Sequence, residues 1–336
     1  MKLDLQGGAH TGYVALKSSR TACPRGVAVT LGCFDGLHLG HMYLINMLAR
    51  SAARHGLPAL VYTFSEHPQN VFSRSKRVKL LTPADKKIEL LSGTAADGVY
   101  FEDFTREFAE LAPEEFVRTV LAERFGARLV VVGSNFRFGR RAGGCAADLE
   151  KLGARYGFGT QLVPPVPTGT AGSNNAAGGF EKVSSSLIRE HIESGNVELA
   201  APLLGRLYSL SGSAISIAGR EVNAMRPDAR MELAMRPDAR MALPEYGAYA
   251  TCTKIKGRLI NGYSIICGGG GSGGGSGGEQ GGGGSGGSSG SDGSGSGEEQ
   301  GGRIVENFLS ERVDDLHIAQ IDIFFYKRVH SEEVNF

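Results

Sequence analysis

Two histidines, His38 and His41, stand three residues apart with a single glycine, Gly40, and Leu39 between them. The string around them, GCFDGLHLGH, follows a β-rich apolar run and leads into a helical pattern. At that spacing the two imidazoles share one face of a helix's first turn. In α/β sheets, ligands bind at the carboxyl ends of strands, where helix N-termini turn free N–H groups outward. Gly32 and Gly36 would let the backbone approach a phosphate closely. Imidazole donors at that place would stabilise the charge that gathers on an α-phosphate and a leaving pyrophosphate during in-line attack. Such a reaction needs no protein nucleophile. Two plainer readings compete. The pair could be half of a zinc site, but no third and fourth ligand stand at matching spacing. It could also be a helix cap or part of a core.

Other residues suit the same chemistry. Asn135 follows the apolar run RLVVVG and so falls at the same sheet edge, where it could hold a phosphate or ribose or simply make a turn. Arg137, Arg140 and Arg141, with Gly139 and Gly143, form a basic loop. It suits a mobile cover over phosphates, since guanidinium forks bind them well; the alternative is a solvated loop. Ser184 and Ser185 precede a short helical stretch and would cap it in any case. Phe64 and His67 lie at another strand end.

The elements that must position these residues alternate. Ala28–Leu31, Ala59–Phe64, Gly98–Phe101 and Arg128–Gly133 read as strands. The last is continuously apolar, as in a parallel sheet covered on both faces. A helix from about His41 to His55 places Leu44, Ile45, Leu48, Ala49 and Ala52 on one face, and Gly56 suits a left-handed stop. Thr82-Pro83-Ala84-Asp85 reads as an N-cap with proline at the first helical position. Pro113 opens a helix with Phe116, Val117, Val120 and Leu121 turned inward. This order predicts an α/β fold with a doubly wound parallel sheet over residues 27–205, after an N-terminal extension of residues 1–26.

From residue 206 to 336 the pattern becomes β-rich, as in a small β domain. Two features interrupt it. One is a tandem decamer, AMRPDARMEL then AMRPDARMAL, from Ala224 to Leu243; two copies are too few for a solenoid. The other is Gly268–Gly302, almost wholly Gly and Ser, which reads as a flexible coil. A strand and a short terminal helix close the chain.

At 336 residues there is room for two cores. A net charge of +1 argues against nucleic-acid binding by bulk charge. No apolar run is long enough for a membrane span, and MKLDLQGGAH lacks a signal-peptide core. Five scattered cysteines predict reduced thiols in a cytoplasmic protein.

The string GxFDGxHxGH resembles the nucleotidyltransferase signature of bacterial FAD synthetases, the bifunctional riboflavin kinase/FMN adenylyltransferases. The resemblance continues in order through TFSEHPQNVF, with Glu66 where proline is common, then LLTPADKKIELL, DFTREFAELAPEEFV, VVGSNFRFGRRAGG and VSSSLIRE. It implies adenylyl transfer from ATP to FMN, giving FAD and pyrophosphate, with Mg2+ accompanying ATP. It implies His38, His41, Asn135 and Arg189 as catalytic residues. It implies ATP contacts from Gly32, Phe34, Asp35, Gly36, Ser184, Ser185 and Arg189, and flavin contacts from Phe64, His67, Asn135, Phe136 and Arg137. The sequence offers no dedicated carboxylate cage, so most magnesium ligands would be phosphate and water. Related cytidylyltransferases share the histidines, but the NFRFG block and the motif order favour the flavin family. The partners implied are the small molecules ATP and FMN.

The second domain resembles the family's riboflavin kinase barrel through LLGRLYSLSG, LPEYGAYA, RIVENFL and FFYKRVHSEEVNF, with Glu306 as the presumed base. The family's GxPTAN signature is missing. MRPDARM keeps Pro and Ala but has Asp228 and Arg230, or Asp238 and Arg240 in the second copy, at the Thr and Asn positions. Arginine has no acceptor with which to hold magnesium. Met225-Arg226 replaces the leading glycine. The expectation is a degenerate kinase domain without riboflavin kinase activity. A bifunctional enzyme and a flavin- or nucleotide-binding pseudoenzyme are the alternatives.

Overall fold

The computed structural model describes residues 12–16, 26–72, 77–168, 182–216, 231–267, 304–310 and 320–329. They cluster into two units.

The first unit is built on a six-stranded sheet. Its strands are β1 (Gly12–Ala15), β2 (Ala28–Leu31), β3 (Ala59–Phe64), β4 (Gly98–Glu102), β5 (Leu129–Gly133) and β8 (Gly159–Val163), with a small β6 (Arg137–Phe138) and β7 (Gly144–Cys145) hairpin between the last two. The order across the sheet is β1-β4-β3-β2-β5-β8. All neighbours are parallel except β1, which runs antiparallel to β4 at the edge. After edge strand β1, the parallel strands start in mid-sheet at β2, wind outward through β3 and β4, and return to β5. A crevice opens at such a reversal, at the carboxyl ends of β2 and β5.

Among the described residues, seven α-helices accompany the strands: α1 (Leu39–Arg54), α2 (Ala84–Ser92), α3 (Arg106–Ala109), α4 (Pro113–Phe116), α5 (Ala146–Tyr156), α6 (Ser185–Glu193) and α7 (Val197–Leu204). Both sheet faces are covered. Val27, Val29 and Leu31 pack with Phe116, Leu121 and Phe125 on one side. Ala28, Val61 and Val131 pack with Phe34, Ile45 and Leu48 on the other. That two-sided burial explains why the strands read as unbroken apolar runs.

Local structure departs from expectation in four places. β1 lies inside the stretch read as an extension. Helix α1 begins at Leu39, with His38 as its N-cap, rather than at His41; it stops, as anticipated, before Gly56 at φ +62°. Helix α2 begins at Ala84 with Pro83 as N-cap, and Thr82 does not cap it. Past Pro113 the helix continues in π form over Val117–Arg124, with Val117, Val120 and Leu121 buried.

The second unit carries a six-stranded barrel of order β10-β13-β12-β11-β14-β9. Its strands are β9 (Tyr208–Ser216), β10 (Met231–Met235), β11 (Gly247–Ile255), β12 (Arg258–Cys267), β13 (Ile304–Leu309) and β14 (Gln320–Val329). The chain is thus a doubly wound α/β unit followed by a small antiparallel barrel. Inside the barrel, Asn307 joins Ser264 at 2.8 Å and Thr253 at 2.5 Å, and Thr251 meets Ser264 at 3.0 Å. This fully buried network ties β11, β12 and β13 together. β12 and β13 pair from Cys267↔Ile304 onward, so residues 268–302 link neighbouring strands. That tract, the first seven residues of the decamer pair with Asp228 and Arg230, and the anticipated terminal helix lie outside the described residues.

The two decamer tails adopt different structures. Met231–Leu233 belongs to strand β10. Met241 instead forms an isolated parallel bridge with Leu80 of the first unit's own cluster, to which residues 240–245 belong.

Candidate active site

The loop from Gly32 to His38 follows β2 directly into α1. It is tightly folded. Phe34, Gly36 and Leu37 all have positive φ, at 47°, 82° and 42°. Such values are strained for non-glycine residues and persist only when the surroundings fix them. Here the fixing contacts are plain. Phe34 and Leu37 are fully buried. Asp35 Oδ1 accepts from the Leu81 and Thr82 backbone N–H groups at 2.9 and 3.0 Å, and its Oδ2 accepts from Arg189 Nη2 at 2.9 Å. Ser185 Oγ donates to the Asp35 carbonyl at 2.8 Å. Arg206 donates to the carbonyls of Gly36 at 2.6 Å and Leu37 at 3.2 Å.

These contacts give several residues expected at the nucleotide a structural partner of their own. Phe34 is 0% exposed and its ring belongs to the core. The Asp35 carboxylate is filled by protein donors. Arg189 is held by Asp35 and by the Lys79 carbonyl, to which its Nε donates at 2.6 Å. Gly36 is needed for its left-handed φ and because a Cβ there would come within 2.9 Å of Leu81 Cδ1. Ser184 Oγ accepts from Leu187 N–H at 3.3 Å as the N-cap of α6.

The two histidines meet face to face. Their ring centroids are 3.6 Å apart at an interplanar angle of 17°. His38 Nδ1 accepts from the His41 backbone N–H at 3.3 Å, so His38 is the N-cap of α1. Gly40 makes room for this ring: a Cβ there would lie 3.1 Å from it. Burial, with Arg206 nearby, pushes the His38 pKa down to about 4. Burial, then His38, Lys87 and Arg206, holds His41 well below the usual histidine range. Both rings are therefore neutral at pH 7. With Nδ1 accepting, the hydrogen-bond network assigns the His38 proton to Nε2, which leaves one N–H to donate.

A cavity of about 810 Å³ opens in the first unit, with Gly32 and Cys33 in its wall. All five residues assigned to flavin line it: Phe64, His67, Asn135, Phe136 and Arg137. Its walls are aromatic. Phe64 and Phe104 meet edge to face at 5.1 Å, Phe104 and Phe108 pack at 5.6 Å, and Phe136 stacks parallel to Phe138 at 5.7 Å. Flat aromatic walls suit a planar heteroaromatic ligand. His67 also caps a short 3-10 turn, accepting from Gln69 N–H at 3.3 Å. Phe104 and Phe108 were not singled out from sequence, although their spacing in FTREF put both on one face of a helical turn.

The basic loop after Asn135 is anchored rather than loose. Arg140 N–H donates to the Leu111 carbonyl at 2.7 Å. Gly139, at φ +70°, sits so close to Pro113 that a Cβ would come within 2.8 Å of its backbone. Arg137 and Arg141 line the cavity, whereas Arg140 faces Glu110 at 3.9 Å.

In the barrel, Glu306 is half-buried on β13, opposite Ala234 and Ile265. Arg240 pairs with Glu66 at 3.5 Å, and its carbonyl accepts from Leu80 N–H at 2.7 Å. Both residues are departures from the motifs that the sequence resembles. Among the described residues, no cluster of His, Cys, Asp and Glu could hold a metal ion.

The comparisons with known proteins agree with this geometry. The profile of the FAD synthetase family matches residues 20–174. A bifunctional riboflavin kinase/FMN adenylyltransferase of Listeria monocytogenes is 34% identical over 68% of this chain and 68% of its own length. One from Bacillus subtilis is 31% identical over 70% of this chain and 69% of its own. One from Buchnera aphidicola is 28% identical over 91% and 85%. A solved structure described as a macrolide-efflux protein from Streptococcus pneumoniae superposes with a TM-score of 0.71, covering 94% of this chain and 89% of that one. At 21% identity that likeness speaks for the fold alone. A strand–loop–helix with paired neutral histidines, an aromatic cavity in the same unit, a second unit that carries a small barrel, and relatives matched over two thirds of their length lead to one conclusion: this chain belongs to the FAD synthetase family.

Proposed function

We propose that the first unit transfers the adenylyl group of ATP to FMN. An FMN phosphate oxygen attacks the α-phosphorus of ATP, the bond to the bridging oxygen breaks, and pyrophosphate leaves with FAD as the product. The observation that carries this reading is the shared wall. Gly32 and Cys33 line the aromatic cavity and begin the loop that ends at His38. A flavin held among Phe64, His67, Asn135, Phe136 and Arg137 would present its phosphate toward that loop. There His38 and His41 act as neutral hydrogen-bond donors to the developing charge. Asp35 and Arg189 hold the loop against α6, and Ser184 and Ser185 cap and tether that helix.

Magnesium enters as part of the ATP substrate. The Asp35 carboxylate is already occupied by protein donors, so phosphate and water oxygens would supply its ligands. No step here depends on a protein-held ion.

The same reading assigns no riboflavin kinase activity to the barrel. Arg230 and Arg240 stand where an amide acceptor is needed, and a cation there repels magnesium. The relatives, described as bifunctional riboflavin kinase/FMN adenylyltransferases, favour the bifunctional alternative, and one experiment separates the two. The protein is incubated with ATP and magnesium plus either FMN or riboflavin, and the flavins are resolved by chromatography. FAD from FMN, with no FMN or FAD from riboflavin, is the expected result. Riboflavin turnover abolished by Glu306→Gln would restore the bifunctional reading. No FAD from FMN in a folded sample would leave the pseudoenzyme.

No described helix is long and apolar enough to cross a membrane, and the four described cysteines are free thiols. We assign the protein to the cytoplasm on the second of these.

A further inference from the structure

Lys87 is a charged side chain only 4% exposed. It sits on α2, in a stretch that reads as an ordinary solvated helix face. Its Nζ donates to the Cys33 carbonyl at 2.9 Å and to the Phe64 carbonyl at 3.1 Å, and approaches Thr63 Oγ1 at 3.5 Å. It also lies over the Phe101 ring at 5.9 Å. Thr63 Oγ1 donates to the same Cys33 carbonyl at 2.9 Å. Among the described residues, no carboxylate lies within ion-pair distance of the ammonium. All three of its protons are spent on neutral oxygens of two neighbouring strand ends.

Burying a lysine against carbonyls is costly, and nothing in the packing of α2 requires a cation there. What it achieves is geometric. Cys33 lies just past β2 and Phe64 ends β3, and both residues line the aromatic cavity. Parallel strands diverge beyond their last ladder bond unless something holds them. Here the ammonium, with the Thr63 hydroxyl beside it, spans the gap and fixes the spacing between two walls of the cavity.

The geometry points to Lys87 as a positioning residue for flavin binding: it clamps the Cys33 and Phe64 strand ends at the separation that the flavin ring requires. This rests on the assignment of the cavity to FMN. Replacing the cation by an apolar chain of similar length would leave the Phe64 carbonyl without its donor. The Cys33 carbonyl would keep Thr63. The walls would relax, and the flavin would bind less well, while the ATP side of the site, held by Asp35, Arg189 and Arg206, would change little.

The test uses the full chain and two readouts, quenching of FMN fluorescence on binding and FAD formation with separate KM values for FMN and ATP. Lys87→Met should weaken FMN binding and raise its KM by roughly tenfold, as losing a charge-assisted contact typically does, with the KM for ATP within about twofold of normal. Thr63→Val, which removes the second donor to Cys33, should shift FMN in the same direction by less. Unchanged FMN affinity in folded Lys87→Met overturns the proposal, and so does an equal rise in both KM values. If Lys87→Met does not fold, Thr63→Val decides: a selective rise in the FMN KM supports the clamp, and no rise overturns it. Unmodified protein that neither quenches FMN nor forms FAD would instead sink the assignment of the cavity, a result distinct from either outcome for Lys87.

Discussion

Asp35 and Arg189 are 154 residues apart in the chain and meet at 2.9 Å. Neither is open to solvent: their side chains are 3% and 13% exposed. The pair joins the histidine loop to α6, and Arg189 also reaches the Lys79 carbonyl. Removing one partner of a buried ion pair strands the other, which typically costs about 3–5 kcal/mol. Arg189→Ala should therefore lower the melting temperature as well as adenylyl transfer, and thermal denaturation checks it. A variant that melts like the parent yet is inactive would mean that Arg189 serves the substrate directly.

His38 combines two tasks that substitution can separate. Asparagine is also a strong N-cap and can accept from the His41 N–H, whereas alanine cannot. His38→Asn should keep the parent's stability while losing about 10²–10³ in turnover, as the loss of one transition-state donor does. His38→Ala should lose the same activity and about 1 kcal/mol of stability as well. Denaturant titration beside single-turnover rates distinguishes the two. Near-normal turnover in His38→Asn would remove His38 from the chemistry.

The buried rings also set an acid limit. The His38 pKa falls from 6.5 to about 4 on folding. Between those values the unfolded chain carries the proton and the folded one does not, so stability falls as pH drops through that window and levels off below it. The loss from His38 is on the order of 3 kcal/mol, and His41 shifts in the same direction. Unfolding midpoints measured from pH 7 to 4 should slope accordingly, and His38→Asn should flatten part of the slope. A parent profile that is level across this range would contradict neutral, buried imidazoles.

Because Cys267 pairs with Ile304, a four-residue turn can replace residues 268–302. Loop-closure entropy predicts a barrel more stable by roughly 2 kcal/mol, with unchanged FAD formation. Chemical denaturation and the flavin assay test both halves. A large loss of FAD formation would reveal a specific task for the Gly/Ser tract.

Much of the α/β unit was legible because its strands are buried on both faces. Runs such as Val27–Leu31 and Leu129–Val132 leave no other reading, and Gly56 marks where α1 must end. Strand β1 was not legible. It is four residues at a sheet edge, half-buried, and begins with glycine. The histidine turn was legible only from the whole string GCFDGLHLGH, since the bare pair reads as well as a helix cap, which His38 also is. The partners of Asp35 were not legible, because two of its donors are backbone N–H groups at Leu81 and Thr82, and no side-chain type announces a backbone donor. The burial of Phe34 was not legible either: it lies inside the motif, yet its ring packs into the core. Lys87 and Arg206 were invisible because a lysine or arginine in sequence looks solvated until the fold encloses it.

The decamer tails have a consequence for the gene as well as for the fold. Met231–Leu233 fills a seat in β10, while Met241 and its neighbours fill a different seat beside Leu80. Ten is an even number, so a slip by one copy keeps every strand residue facing the same way. Leu243 would then sit where Leu233 sits, and Ala242 where Glu232 opposes Phe308. The two tails are interchangeable occupants of two seats. A chain that had lost one tail would leave one of these two seats without its occupant.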